Sequence, residues 1–438
     1  MEGRVDSERD FEPGFFTRFA DRFLSGYAAS ILILIAASLG VAALCLTPQE
    51  EEPQIIVPFA DVFVSFPGAS AQEVENLVAL PLERLLWQID GVEYVYSMSQ
   101  ADRAIVSVRF YVGEDRERSL VKLYNKINSN SDLVPPGVAG WVVKPVEIDD
   151  VPIVNLTLHS PRYDDHALYR IAEELRVRLD AVSDLSRSTI VGGRPLQTRV
   201  DLKVEALEAR GVSPLEVSAA LKAANSAAHS GVYDGGNRRY ELRSGPFLSG
   251  EEDVSDLVVG VFEQRPVYLR DIAQIETGAA EPTSYSRVSF GGASEHFGEE
   301  AQTSVTLAVA KKKGTNGVLV AKEVLQRVDA LKASLLPDDV YLTVTRNTGE
   351  TAEEKVSSLL NSLFLAIVIV VALLFLFLGW RAGLVVALSI PVTFSLALFT
   401  NYLFGFTINR VTLFALILTL GLVVDDPITA IDNIWRHI

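Results

Sequence analysis

Cysteine is almost missing: Cys45 is the only one, and it lies inside an apolar run. A single thiol closes no intrachain disulfide and builds no thiolate metal cluster. Methionine is nearly as scarce, at Met1 and Met98 alone, which leaves too few thioethers to hold soft Cu(I) or Ag(I). The five histidines, His159, His166, His229, His296 and His437, have no ligand spacing and form no Ser/His/Asp pattern. Basic residues are outnumbered, with Lys+Arg at 39 against Asp+Glu at 56 and a formal charge of -17. No basic patch marks nucleic acid as a partner. The one Gly-rich piece, Asp234-Gly235-Gly236-Asn237, is followed by neither a helix start nor a P-loop lysine, so it reads as a hairpin turn. With no nucleophile, base or metal constellation, neither an enzyme nor a bound cofactor is expected.

What is abundant is apolar residues, and they gather at the two ends of the 438-residue chain. Tyr27 to Leu46 carries no charge and is long enough as a helix to cross about 30 Å of hydrocarbon. Signal-peptide h-regions are shorter, and an Arg- and acid-containing lead is unlike a signal n-region, so a retained span is expected. Within that lead, Phe15, Phe16, Phe19 and Phe23 share a helical face, which predicts an interfacial helix over Pro13 to Leu24. Leu359 to Leu378 and Ala382 to Phe404 are two more runs, separated by Gly379, Trp380 and Arg381, which predicts a tight helical hairpin. Pro391 should bend the second of them. A fourth run begins at Val411 and is too short to cross alone unless its helix continues through Asp425 and Asp426 towards Ile434. Arg4, Arg9, Arg18 and Arg22 precede the first span and Glu50, Glu51 and Glu52 follow it, so the positive-inside bias puts the N-terminus in the cytoplasm and the middle of the chain outside.

Thr47 to Glu354, about 300 residues, has the charge density of a soluble protein and room for several compact units. Strand and helix patterns alternate there. Ile55 to Ser65 is β-rich, Ser70 to Gln88 is an amphipathic helix, Val92 to Ser99 and Ala104 to Val112 are strands, and Asp115 to Asn128 is a helix. Ser70 followed by Glu73 is a capping box that fixes the first helix start. This order is that of a split βαβ, ferredoxin-like unit. A second copy starts with a strand at Ile153 to His159, a helix at Asp164 to Val182 and a strand at Ser188 to Leu202. It is interrupted by a helix at Ser213 to His229 and a strand pair around Gly231 to Ser244. It resumes at Ser304 to Ala310, Asn316 to Leu335 and Val340 to Thr345.

The residues most expected to carry function are Asp425 and Asp426. An ionised carboxylate in the bilayer costs several kcal/mol, so an intramembrane acid is functional by default. Two in succession cannot both hold charge cheaply, which suits them to taking up and releasing protons. Thr412, Thr419, Asp426 and Asn433 recur every seven residues as one polar stripe, with Asp425 and Asp432 beside it. Such a stripe must face protein or internal water rather than lipid. Pro427 leaves the Val423 carbonyl without its helical donor. The plainer alternative is that the two aspartates end a short helix at the cytoplasmic surface.

The stretch NRVTLFALILTLGLVVDDPITAIDNIWR (Asn409 to Arg436) resembles the fourth transmembrane helix of the resistance-nodulation-division efflux pumps, hydrophobe and multidrug branch. VFVSFPGASAQEVE (Val62 to Glu75), QIDGVEYVYSMS (Gln88 to Ser99) and KKKGTN (Lys311 to Asn316) resemble that family's porter domain. The resemblance implies an α+β inner-membrane protein of a Gram-negative bacterium, a proton antiporter that exports small hydrophobic or amphiphilic compounds. It also implies a homotrimer with a periplasmic adaptor and an outer-membrane channel, with proton translocation carried over to Asp425 and Asp426. On this pattern 1–48 is the interfacial helix and first span, and 49–134 is porter subdomain 1. Porter subdomain 2 is 135–188 with 278–350, interrupted by a docking subdomain at 189–277 whose hairpin reaches a neighbouring protomer. Residues 351–438 are spans two to four. Family members have twelve spans in two similar halves, so this chain is expected to be an N-terminal half, either a fragment or one piece of a split transporter. The balancing lysine and the second pair of porter subdomains would lie in the missing part. Many members have Ala at the position of Pro427 and Glu at that of Asp432. Rival readings are a heavy-metal exporter of the same superfamily and a membrane-anchored accessory or assembly module with no transport of its own. An anchor has no need of the aspartate pair.

Overall fold

The computed structural model describes residues 27–53, 57–147, 150–244, 247–294, 298 and 300–437. The interfacial helix expected at Pro13 to Leu24 lies outside them. Helix α1, Ala28–Leu46, leads into the first soluble unit. There the order is β1 (Phe59–Ser65), a helix α2, β2 (Val92–Gln100), β3 (Arg103–Phe110), α3 (Arg116–Asn128) and β4 (Gly140–Val146). Helix α2 runs as Ala71–Val74, a wider π turn at Glu75–Ala79, and Leu80–Leu86. It starts where expected: the Glu73 amide donates to Ser70 Oγ, and the Glu73 carboxylate accepts from the Ser70 amide and hydroxyl. The sheet order is β2-β3-β1-β4, with every neighbour antiparallel. Alternation along β1 and β3 puts Ala60, Val62, Val64, Val106, Val108 and Phe110 under the two helices.

One boundary moves. Residues 140–146, assigned from sequence to the second unit, pair with β1 and close the first sheet. The segment Trp141-Val142-Val143-Lys144-Pro145 is short and holds a proline, which an edge strand tolerates.

The second unit begins with β5 (Val154–Ser160), α4 (Asp165–Leu179) and β6 (Leu185–Val191). The expected single strand Ser188 to Leu202 is in fact two, in different sheets. Gly192 and Gly193 at φ +80° and +76° break it, and the chain leaves as β7 (Leu196–Leu202). A Cβ at Gly193 would lie 2.9 Å from Tyr169 Cβ and Val305 Cγ2, so the break has no room for a side chain. Arg194 follows at once and clamps Asp165 at the start of α4, 2.6 Å away. That bond to Asp165 raises the guanidinium pKa.

The insert then holds α5 (Val204–Arg210), α6 (Pro214–Ala224), the hairpin β8 (Ala228–Gly235) and β9 (Arg238–Ser244), α7 (Glu251–Ser255), β10 (Val258–Phe262), β11 (Arg265–Tyr268), α8 (Leu269–Ile272) and β12 (Ala273–Ala279). Strand β12 pairs antiparallel with β7, so the insert leaves and returns on one ribbon. It has its own apolar core, including Leu207, Val217, Val259, Leu269 and Ile272. At the β8–β9 turn Gly236 and Asn237 both have positive φ, 58° and 59°, the geometry expected for that dipeptide.

Back in the second sheet come β13 (Arg287–Val288), β14 (Gln302–Lys311), α9 (Gly317–Leu335) and β15 (Tyr341–Asn347). The order is β13-β14-β5-β15, with β6 also on β14, so the second unit repeats the strand arrangement of the first. Asn316, the last residue of KKKGTN, caps α9 by accepting from the Val318 and Leu319 amides. One sheet face packs Leu156, Leu307, Val309, Val320 and Val324 into a core. Its other face is polar, a ladder in which Thr157 Oγ1 lies 2.9 Å from both Thr306 Oγ1 and Thr345 Oγ1.

Three long helices complete the chain: α10 (Thr348–Leu378), α11 (Trp380–Leu403) and α12 (Arg410–His437). With α1 they are four helices long and apolar enough to cross a membrane. The hairpin between α10 and α11 is tighter than expected: Trp380 and Arg381 are already helical, and Gly379 alone turns the chain, at φ +82° and ψ 166°. Helix α1 packs on α11 through the small residues Ala36, Gly40 and Ala43, all buried.

Candidate functional site

Helix α12 starts from a buried asparagine. Asn409 Oδ1 accepts from the Val411 and Thr412 amides at 3.0 Å each, while Thr412 Oγ1 accepts from the Asn409 amide at 3.0 Å. Two first-turn donors are thereby satisfied, which pins the start of the helix. From Arg410 it runs without interruption to His437, 28 residues, and Asp425 and Asp426 are internal to it. At 1.5 Å per residue they stand about 23 Å from the helix start, with about 17 Å of helix beyond them. The pair does not end the helix.

Leu413, Leu416, Leu420, Val424 and Ile431 form the buried face of α12 and share a core with Leu374, Val386, Ile390 and Phe394. Thr419, Asp425, Asp426 and Asn433 are exposed. At 100° per residue, Thr419, Asp426 and Asn433 fall about 120° away from that buried face. Thr412 is not a free member of the stripe, because its hydroxyl is taken by the cap and the Thr407 carbonyl. Asp432 follows on the same helix. Pro427 sits one residue after the pair, and the Thr429 hydroxyl donates to the Asp425 carbonyl at 3.0 Å. Among the described residues no basic side chain makes an ion pair with Asp425 or Asp426, and no group of three or more His, Cys, Asp or Glu could hold a metal ion.

The start of α12 is tied to the soluble units by a joint that sequence reading missed. Pro48 and Gln49, just after α1, run beside Ile408: the Ile408 amide donates to the Pro48 carbonyl at 2.9 Å and the Glu50 amide to the Ile408 carbonyl at 3.1 Å. The Gly317 amide at the start of α9 donates to the Gln49 carbonyl at 3.1 Å. Lys311 Nζ at the end of β14 meets Glu50 Oε1 at 3.0 Å, both side chains being under a tenth exposed. Arg410 reaches Glu52 at 2.8 Å. The end of α1, the start of α12 and the β14–α9 turn therefore meet at one point. Glu50 read only as one of three acids after an apolar run, and no local pattern joins it to a lysine 261 residues away.

The chain matches the AcrB/AcrD/AcrF family over residues 21–438. It belongs to this family of resistance-nodulation-division transporters. Three similar proteins carry the name multidrug resistance protein MdtC. That of Yersinia enterocolitica is 28% identical over 430 residues, 96% of this chain and 40% of the relative. That of Photorhabdus laumondii is 29% identical over 428 residues, with the same two shares. That of Yersinia pseudotuberculosis is 27% identical over 425 residues, again 96% and 40%. The chain thus spans about 40% of the length of the curated relatives it matches. Family membership and the four apolar helices make it an inner-membrane protein.

Proposed function

We propose that this chain is the N-terminal half of a proton-driven efflux pump of the multidrug type, exporting small hydrophobic or amphiphilic compounds from the inner membrane or periplasm. The observation that carries the reading is the placement of Asp425 and Asp426. They lie inside an unbroken apolar helix, on a surface turned away from that helix's own packed core. A charged acid at that depth costs at least about 2.5 kcal/mol on the most lenient scale. Protonation or a facing cation offsets that cost, and alternation between the two can be coupled to movement of a substrate. The exposed face of α12 is where the remainder of a longer transporter, with its balancing cation, would pack. The bonds from the start of α12 to Pro48 and Gln49, and from Gln49 and Glu50 to Gly317 and Lys311, give a protonation change on the helix a physical route to the second soluble sheet.

On this reading the two sheet units are ferredoxin-like porter subdomains in the periplasm, the insert is a docking subdomain, and the assembly is a homotrimer served by a periplasmic adaptor and an outer-membrane channel. The antiparallel β2-β3-β1-β4 order, repeated in the second unit, supports the first of these. The test is Asp425→Asn and, separately, Asp426→Asn in the full-length transporter. Each should abolish drug export while membrane insertion and protein level stay unchanged. Normal export by both variants would refute the proton role.

A further inference from the structure

The first soluble unit contains an apolar recess far in sequence from the aspartate pair. It lies between α2, the β1 and β4 end of the sheet, and the segment 130–138 that covers them, and its volume is about 90 Å³. Val62, Val64, Val78 and Leu82 form aliphatic walls, and Trp141 on β4 supplies a flat one. Leu77 and Leu133, also part of the lining, are exposed, so the recess opens to solvent beside them. An enclosed apolar cavity of about 150 Å³ stays dry and takes benzene. A smaller recess with an open side admits one six-membered ring and leaves its substituent at the mouth. One amide interrupts the lining: Asn130 donates through Nδ2 to the Lys126 carbonyl at 2.7 Å, and its Oδ1 has no partner among the described residues. Ligand sites combine apolar walls with a few placed polar groups in this way.

We propose that this recess is a binding site for a single-ring aromatic molecule bearing one hydrogen-bond donor, of the phenol class. The ring stacks against Trp141 between the valines, and the hydroxyl donates to Asn130 Oδ1.

The test uses the whole chain in lipid nanodiscs, labelled with 5-fluorotryptophan, so that the fluorine resonance of Trp141, assigned through Trp141→Phe, reports on one wall. Phenol should shift it saturably, while cyclohexanol, which has no aromatic face to stack, should not. Val78→Phe fills the recess and should weaken phenol at least tenfold. Asn130→Leu should weaken phenol about threefold to tenfold, the range of one ordinary hydrogen bond, and leave benzene unchanged. If Val78→Phe fails to fold, Leu82→Phe fills the recess from the helix side and should have the same effect. A linear phenol shift common to all tryptophans overturns the proposal, because it reports partition into lipid. So does wild-type phenol affinity in a folded, filled variant. An equal loss of phenol and benzene in Asn130→Leu overturns the assignment of the hydroxyl to Oδ1.

Discussion

Removing the Lys311 ammonium should loosen the joint between the helices and the soluble units by a large and measurable amount. Lys311 and Glu50 are 9% and 6% exposed, and their charged atoms are 3.0 Å apart. Lys311→Met leaves a buried carboxylate without its cation, a change that costs about 3–5 kcal/mol in buried pairs. At about 1.4 kcal/mol per decade, local opening should become on the order of a hundredfold to a few thousandfold more frequent. The reporters are the amides that cross the joint: Gly317 to Gln49, Glu50 to Ile408 and Ile408 to Pro48. Their hydrogen exchange, read by mass spectrometry on peptides covering 47–52, 313–319 and 405–411, should accelerate accordingly. Peptides from the insert, whose core is separate, should not change. Lys311→Met with Glu50→Gln removes both charges and should recover most of the protection, because breaking a buried pair costs more than removing both of its charges. Exchange in Lys311→Met within threefold of the parent would mean that the pair contributes no more than a surface one.

Two further outcomes follow from packing and from pH. A Cβ at Gly40 would lie 2.3 Å from Ser395 Cβ and 2.6 Å from its Cα. Gly40→Ala should therefore push α1 off α11 and cost about 1–3 kcal/mol, seen as a lower melting temperature in detergent, with Ser395→Gly recovering only part of the loss because its Cα stays in the way; an unchanged melt would mean the helices do not touch there. The Glu73 carboxylate is held below the usual range by its bonds to the Ser70 hydroxyl and amide. A carboxyl group with a lowered native pKa contributes stability that is complete above the unfolded value and fades as pH falls through the native one. Acidification should thus release the start of α2, seen as faster exchange at the Ser70 and Glu73 amides once the intrinsic rate is corrected for. Glu73→Gln keeps the reciprocal bonds and should remove that pH dependence; an identical acid response in Glu73→Gln would show that another group is responsible.

Features written locally were legible in the sequence. Ser70 with Glu73, Asp115, Asp164 and Asn316 each mark a helix start and each caps one. The four apolar runs became four long helices, and the need for α12 to continue past its acids was visible in its length alone. What failed depends on partners distant in sequence. Residues 140–146 join the first sheet because β1 offers a free edge, and the stretch 188–202 divides because Gly192-Gly193 redirects it to β12. The hydroxyl and imidazole ladder on the second sheet was invisible for the same reason. His159 meets Gln302 at 2.7 Å and Thr343 at 3.0 Å only after three strands align. Thr412, placed in the polar stripe by its spacing, also serves the start of α12 through its hydroxyl, a local bond to Asn409.

The proposed proton exchange by Asp425 and Asp426 within the hydrocarbon has a direct spectroscopic signature. Infrared difference spectroscopy of the full-length transporter in lipid bilayers, titrated from acidic to alkaline buffer, reads this most directly through the carbonyl band of a protonated carboxylic acid. The band should appear and disappear reversibly, shift in deuterium oxide, and be lost in the Asp425→Asn, Asp426→Asn double variant. A band that persists in the double variant, or none in the parent, would contradict proton exchange by the pair.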